Sequence, residues 1–254
     1  MSLTGKTSII TGGSDGIGRA IAAKLASEGA HVVICARNAK KLESVAEDIR
    51  AAGGSVETRV QDVADTDSFA AMIEDVASSN GLDILVNNAA HVGFGSVADA
   101  SLEDFRENFR VNVDATYAGM QAAIKAMSDN GGSIINISSI NGDRAMPGMA
   151  GYSSSKAALL HLTRLASMET AGQNIRVNAV TPGPIMTPGT EAFIQSDPKA
   201  GEAIAAGIPM QRMGMPEEVA NVVLFLASDM SSYVTGANIP VDGGKANELA
   251  VNQG

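Results

Sequence analysis

The chain of 254 residues is poor in aromatic residues, cysteine and basic residues. Tryptophan is absent and aromatic residues make up 4% of the sequence, while hydrophobic residues make up 45%, so the core must be mostly aliphatic. The single cysteine, Cys35, has no partner for an internal disulfide. It falls in an apolar run and is predicted to be a core residue.

Basic residues are outnumbered by acidic ones, 18 to 28, and the net charge is −10. This balance argues against nucleic acid and against an anionic membrane as partners. No apolar run reaches the roughly 20 residues that a membrane-spanning helix needs, and the N-terminal residues lack a signal-peptide pattern. We expect a soluble, cytoplasmic protein. No metal site is predicted.

A glycine-rich stretch near the start is the most informative part of the sequence. The apolar run Thr7–Thr11 is followed by four glycines between positions 12 and 18, and then by apolar residues at helical spacing as far as Leu25. A strand, a glycine turn and a helix in this order favour an anion, because the first N–H groups of the helix lack partners and the helix dipole is positive there. The stretch therefore predicts a phosphate site rather than an unliganded turn.

Strands and helices alternate along the chain, which predicts an α/β fold. We expect a single Rossmann-type doubly wound domain, with about seven parallel strands and helices on both faces. The domain is expected to span residues 1–254, with an irregular lid at about 185–215. One long helix is predicted from Ser101 to about Met127, and another from about Gly151 to Ala171. The predicted strands are Thr7–Thr11, His31–Ala36, Val56–Val60, Asp83–Val86, Ser133–Ser138, Ile175–Thr181 and Gly236–Val241.

Four side chains are candidates for chemistry at the carboxyl edge of this sheet, where such folds bind ligands. Tyr152 and Lys156 are four residues apart and share a helix face. Ser139 precedes them across a loop, and Ser138 is the alternative serine for the same role. Asn112 is polar on an otherwise apolar helix face, where a buried amide needs hydrogen-bond partners. An exposed helix pair and a satisfied core amide are the structural alternatives.

Taken together, these motifs resemble those of the short-chain dehydrogenase/reductase family over nearly the whole chain. The matching residues are Thr11-Gly-Gly-Ser-Asp-Gly-Ile-Gly18, Asn87-Asn-Ala89, Val111-Asn-Val113, Ile137-Ser-Ser139, Tyr152-x-x-x-Lys156 and Pro182-Gly183. The resemblance implies hydride transfer between a nicotinamide and a carbonyl or alcohol. Ala90 departs from the family, which usually has glycine there.

The resemblance also implies the roles of individual residues. Tyr152 would be the general acid and base and would also contact the cofactor. Lys156 would bind the nicotinamide ribose, Ser139 would donate to the substrate oxygen, and Asn112 would hold a water. Asp62 and Val63 would flank the adenine. The other implied cofactor contacts are Gly12, Ser14, Asp15, Gly16, Ile17 and Gly18 in the turn, Asn87 and Ala89 near the adenosine ribose, and Ile185 and Thr187 at the carboxamide.

The charge of Lys156 bears on the proton-transfer role implied for Tyr152. A free phenol titrates near pH ~10. An ammonium about 4 Å away, at an effective dielectric constant of about 20, contributes roughly 4 kcal/mol. That interaction is expected to bring the pKa of Tyr152 towards neutrality, where proton transfer in both directions is efficient.

The end of the second predicted strand favours NADP as the cofactor. Enzymes that prefer NAD usually have an acidic residue there to bind the ribose hydroxyls. Here the position is Ala36, and the Arg37 that follows suits the 2′-phosphate of NADP. Asp15 could repel that phosphate, so NAD remains an alternative. Arg37 could also be an ordinary solvated residue.

The substrate is expected to be a small ketone, alcohol or sugar. A 3-oxoacyl-[acyl-carrier-protein] reductase is the alternative, but docking an acidic carrier needs a basic patch, and the residue expected near the site is the acidic Asp129. A non-catalytic nucleotide sensor is the alternative of another class, and it would not need Tyr152. The apolar faces of the two long helices predict a homotetramer. The resemblance implies the same, because the family is commonly tetrameric.

Overall fold

A computed structural model describes residues 2–247, in which seven parallel strands form one sheet in the order β3-β2-β1-β4-β5-β6-β7. The predicted doubly wound sheet is confirmed, and the predicted strands differ from the observed ones only at their ends. Met1 and residues 248–254 of the expected domain lie outside the described residues. The strands are β1 Thr7–Thr11, β2 His31–Ala36, β3 Ser55–Val60, β4 Ile84–Asn87, β5 Gly132–Ile137, β6 Ile175–Pro182 and β7 Asn238–Val241.

Helices cover both faces of the sheet because side chains alternate along each strand. Ile10 of β1 packs with α1, α2 and α9 in one core, while its neighbour Ile9 packs with α3, α5 and α6 in the other. Cys35 is fully buried in the second core, as expected. The helices are α1 Gly16–Ser27, α2 Ala39–Ala51, α3 Thr66–Asn80, α4 Leu102–Phe109, α5 Ala115–Met127, α6 Ala150–Thr170, α7 Pro188–Ser196, α8 Pro198–Ala206 and α9 Pro216–Ala227. Among residues 2–247, no helix has the length and hydropathy needed to span a bilayer.

The long helix predicted from Ser101 to Met127 is interrupted. A π-helical stretch, Arg110–Asp114, separates α4 from α5 and contains Asn112. A π turn accommodates one extra residue and often marks a functional position. The apolar spacing continues across it, so periodicity alone could not reveal the insertion.

The segment from 185 to 215 is more regular than predicted, because it contains α7 and α8. Each begins with a proline after a polar N-cap: Thr187 accepts from the Thr190 N–H at 3.4 Å, and Asp197 accepts from the Ala200 N–H at 3.1 Å. Prolines in this segment suggest an irregular chain when the sequence is considered alone, whereas proline is well tolerated in the first turn of a helix.

Candidate active site

The site forms where the strand order reverses, between the carboxyl ends of β1 and β4. The glycine turn at the end of β1 depends on glycine for two reasons. Gly12 and Gly16 have φ values of +66° and +48°, which disfavour other residues. A Cβ atom on Gly18 would overlap the Gly12 carbonyl oxygen. The backbone can therefore come close to a ligand at the start of α1.

Hydrogen bonds tie this turn to the end of β4. The Thr11 hydroxyl accepts from the N–H groups of Asn88 and Ala89, both at 2.9 Å, and the Asn88 side chain donates to the Thr11 carbonyl at 2.9 Å. The Asn87 side chain instead donates to buried Asn136 at 2.9 Å. Asn87 therefore holds β4 to β5, and its side chain does not line the cavity described next.

A cavity of about 310 Å³ opens beside the turn at the carboxyl ends of β1 to β4, where the sequence predicts the adenosine half of the cofactor. Ala90 lies at its exposed rim. Within residues 2–247, the non-glycine residues with positive φ are Asn174 and Gln211, so alanine at position 90 needs no strained backbone. The predicted cofactor residues that line the cavity are Gly12, Ser14, Arg37, Asp62, Val63 and Ala89.

Asp15 is paired, which changes the argument about the 2′-phosphate. Its carboxylate caps α1 by accepting from the Gly16 N–H at 2.8 Å, and it accepts from Lys41 Nζ at 2.6 Å. The hydrogen bond from Lys41 is the main reason that the pKa of Asp15 lies below its usual value. Because Lys41 balances this charge, Asp15 repels a nearby phosphate less than the sequence suggested.

The 185–215 segment begins beside the glycine turn. A Cβ atom on Gly16 would lie 3.2 Å from Thr187 Cγ2. Ile185 is buried, and the Met186 N–H donates to the Gly214 carbonyl at 2.8 Å. This hydrogen bond joins the two ends of the segment, and Thr187 lies next to the start of α1.

Ser139 and Tyr152 are brought together at the carboxyl edge of β5. Tyr152 lies in the first turn of α6, and the Ser139 hydroxyl is near enough to its phenol to lower the pKa of Tyr152. The Ser138 hydroxyl points elsewhere and donates to the Lys156 carbonyl at 3.2 Å. The geometry therefore favours Ser139 over Ser138 as the partner of the phenol.

Lys156 is buried next to Tyr152, with its Nζ atom 5.8 Å from the centre of the phenol ring. Nζ donates to the Ile137 carbonyl at 2.8 Å. Burial disfavours the ammonium and lowers the pKa of Lys156 from 10.5 to about 8.

The expected fall in the pKa of Tyr152 does not occur in this structure. Burial raises that pKa because it disfavours the phenolate, and the nearby Ser139 hydroxyl lowers it by less. The expectation from sequence included the charge of the ammonium but not the desolvation of either group. A protonated phenol is the form that can donate a proton to a developing alkoxide.

The amide of Asn112 is fully engaged. Its Nδ2 donates to the His91 carbonyl and to Ser155 Oγ, both at 2.9 Å, and its Oδ1 accepts from the His91 N–H at 2.8 Å. Ser155 in turn donates to the Tyr152 carbonyl at 2.7 Å. Asn112 thus links the loop after β4 to the first turn of α6. With both amide hydrogens used, only a lone pair of Oδ1 remains for a water.

His91 lines the cavity beside the glycine turn, as Glu107 does, and the sequence analysis did not predict it there. It follows directly after the Asn87-Asn-Ala-Ala90 motif, which was the available signal. A single histidine in a loop carries no periodicity, so only the position of that loop shows where the residue lies.

Comparison with known proteins indicates the same family that the sequence motifs resemble. A family model described as Enoyl-(Acyl carrier protein) reductase matches residues 12–246. The 3-oxoacyl-[acyl-carrier-protein] reductase of Thermotoga maritima is 40% identical over 96% of this chain and 99% of the relative. The chain belongs to the short-chain dehydrogenase/reductase family. It is therefore an oxidoreductase that acts on a carbonyl/alcohol pair.

Two solved structures of this family are similar throughout. One is from Beutenbergia cavernae, was assigned as an NAD(P)-dependent gluconate 5-dehydrogenase and has bound NADP at low occupancy. It has a TM-score of 0.92 and 38% identity, covering 97% of this chain and 99% of that one. The other is from Agrobacterium tumefaciens, was assigned as a 2-deoxy-D-gluconate 3-dehydrogenase and also has bound NADP. It has a TM-score of 0.90 and 34% identity, covering 97% of this chain and 98% of that one.

The buried ammonium leads to a prediction about stability. Lowering the pKa of Lys156 from 10.5 to about 8 costs the fold roughly 3 kcal/mol below pH ~8. Lys156→Met removes this cost. It also leaves the Ile137 carbonyl without its hydrogen-bond donor, which destabilises the fold by about 1–2 kcal/mol. At pH ~7 we expect the free energy of unfolding to rise by about 1–2 kcal/mol, measured by urea denaturation, while activity is lost.

The pH dependence of this difference provides the check. Between pH ~8 and ~10.5 the folded wild type binds fewer protons than the unfolded chain, so its stability rises with pH. The advantage of Lys156→Met should therefore shrink over that interval. A variant that is less stable than wild type at neutral pH, or an advantage that does not change up to pH ~10, would contradict the assigned cost of burial.

Proposed function

We propose that this protein is an NADP-dependent oxidoreductase that interconverts a small carbonyl compound and the corresponding alcohol. The observation that carries the proposal is that Ser139, Tyr152 and buried Lys156 lie together with the glycine turn at the carboxyl edge of the sheet. A nucleotide sensor would have no use for a buried lysine beside a phenol, because burying that charge destabilises the fold.

The side chains suggest how the reaction proceeds in the reducing direction. Ser139 and Tyr152 donate hydrogen bonds to the carbonyl oxygen and stabilise the negative charge that develops on it. Tyr152 then transfers its proton to that oxygen. Lys156 places a positive charge beside the phenolate that remains. The cofactor, when bound, supplies the hydride.

Several residues support NADP as the cofactor. Arg37 lines the cavity at the end of β2, and Lys41 lines it while pairing with Asp15. These are the groups that would hold a 2′-phosphate, since guanidinium and ammonium groups form charge-assisted hydrogen bonds with phosphate oxygens. Both solved relatives described above have NADP bound.

A 3-oxoacyl-[acyl-carrier-protein] reductase is the second candidate, favoured by the 40% identity with the Thermotoga maritima enzyme. The sequence argument against this candidate placed Asp129 near the site, and that placement is wrong. Asp129 precedes β5 and so lies at the amino edge of the sheet, whereas Ser139 follows β5 at the carboxyl edge. The net charge of −10 remains the argument against docking an acidic carrier.

A substrate panel distinguishes these functions. Ketones, alcohols, sugars and a 3-oxoacyl carrier-protein thioester are tested with NADP(H) and NAD(H), and turnover is followed by the absorbance of the reduced nicotinamide. We expect the highest kcat/KM with a small free substrate. A higher kcat/KM with the carrier-bound thioester would establish the second candidate, and no turnover of any compound would favour the sensor.

We further propose a cytoplasmic homotetramer of single-domain chains, in which residues 185–215 act as a lid. Large apolar side chains remain exposed on α5 and α6: Tyr117 is 49% exposed, Leu165 45% and Met168 82%. A monomer rarely leaves such a surface uncovered. Light scattering at micromolar concentration should give the mass of four chains, with two as the fallback, and a monomeric mass would contradict both.

A further inference from the structure

Asn141 lies two residues after Ser139, in the short 3₁₀ helix Ile140–Gly142. Its backbone N–H donates to the Ser139 hydroxyl at 3.2 Å, and its side chain is half-buried. The backbone of Asn141 is therefore in direct contact with Ser139, one of the two residues that would hold the reacting carbonyl.

The side-chain amide of Asn141 has only weak partners. Its Nδ2 donates to two thioether sulfurs, Met149 Sδ at 3.2 Å and Met146 Sδ at 3.7 Å. Sulfur of this kind is a weak acceptor. Within residues 2–247, no hydrogen bond to Oδ1 of Asn141 is found. The amide can therefore exchange its sulfur contacts for an oxygen at little cost.

Asparagines with structural roles in this chain are bonded differently. Asn112 uses both amide hydrogens on oxygen acceptors and its Oδ1 on a backbone N–H. Asn88 donates to two backbone carbonyl oxygens of the glycine turn. Asn141 differs from them because its Nδ2 group donates only to sulfur, although its backbone N–H bonds the Ser139 hydroxyl.

Asn141 contacts both the Ser139 loop, through its backbone N–H, and the start of α6, through its side chain. Met149, which receives the shorter of its two hydrogen bonds, is the N-cap of α6 and lies three residues before Tyr152. Since Asn141 contacts the two elements that supply Ser139 and Tyr152, its amide borders the position of a substrate held between those two residues. A hydroxyl on the carbon next to the reacting carbonyl could accept from Nδ2 and donate to Oδ1.

We propose that Asn141 binds a second oxygen of the substrate, on the carbon next to the reacting one, and so selects vicinal diols and the matching hydroxy ketones. This inference rests on the proposed function and narrows its substrate class. A site that hydrogen-bonds a substrate oxygen discriminates against analogues that lack it, because its own polar groups are then left unpaired.

The test compares matched substrates that differ only in the second oxygen. The wild-type protein and Asn141→Leu are assayed with NADP on trans-1,2-cyclohexanediol and cyclohexanol. Leucine is close to asparagine in size and retains the backbone N–H that bonds Ser139. We expect the variant to lose about five- to tenfold in kcat/KM with the diol, the value of one neutral hydrogen bond, and to change little with cyclohexanol.

Binding without turnover gives a second readout. Calorimetric titration of the diol into the protein with NADPH should show the same five- to tenfold weakening in Asn141→Leu. Met146→Leu is the matched control, because it removes one sulfur partner but leaves the amide. Its diol preference should equal that of the wild type.

Two outcomes would overturn the inference alone: a wild type that does not favour the diol, or an Asn141→Leu variant that loses equally with both alcohols. Equal losses would mean that Asn141 only supports the loop. A wild type that oxidises no alcohol and reduces no carbonyl would instead overturn the proposed function.

Discussion

Tyr152→Phe is expected to lower kcat by roughly a thousandfold or more and leave the fold intact. The substitution retains the ring but removes the hydroxyl that donates the proton and lies next to Ser139. General acid catalysis of this kind contributes about 10²–10⁴-fold, and the hydrogen bond to the developing oxyanion adds to it. Steady-state turnover of the best panel substrate measures the loss, and circular dichroism verifies the fold.

Tyr233→Phe is the matched control for that experiment. Tyr233 is fully exposed and lies outside the site, so the same change there should leave kcat unchanged. NADP affinity should also be nearly unchanged in Tyr152→Phe, since the 2′-phosphate site lies at the other end of the dinucleotide. Turnover of Tyr152→Phe close to that of the wild type would refute the proposed acid.

Arg37→Ala is expected to weaken NADP binding by roughly ten- to a hundredfold and to leave NAD binding almost unchanged. A hydrogen-bonded ion pair with a phosphate contributes about 1.5–3 kcal/mol, which corresponds to that range. Arg37 is exposed at the rim of the cavity, so its removal should not disturb the fold. The measurement is kcat/KM for each cofactor together with the Kd of NADP by calorimetry.

Lys40→Ala supplies the control because Lys40 has the same charge and lies three residues away, but does not line the cavity. Its loss should change NADP affinity much less, by general electrostatics alone. A wild type that prefers NAD, or an Arg37→Ala variant that retains full NADP affinity, would show that Arg37 does not bind the 2′-phosphate.

The features that the sequence predicted well are local ones. The apolar run Thr7–Thr11 and the glycines after it predicted a strand, a turn and a helix, because each depends on residues close together in the chain. The four-residue spacing of Tyr152 and Lys156 is a property of any helix. Helices α7 and α8 were missed because the same prolines that break a helix interior also begin a helix.

Other features were decided by the tertiary structure, because they depend on contacts between distant segments. Asp15 contacts Lys41 only when α1 and α2 pack side by side, and this contact weakened the sequence argument against NADP. The pKa of Lys156 depends on how deeply α6 buries it, which no spacing reveals. Asp129 proved to be on the opposite edge of the sheet from Ser139, because a parallel strand separates the residues that flank it. The identity of the chemical groups was thus a property of the sequence, while their charges and partners were set by packing.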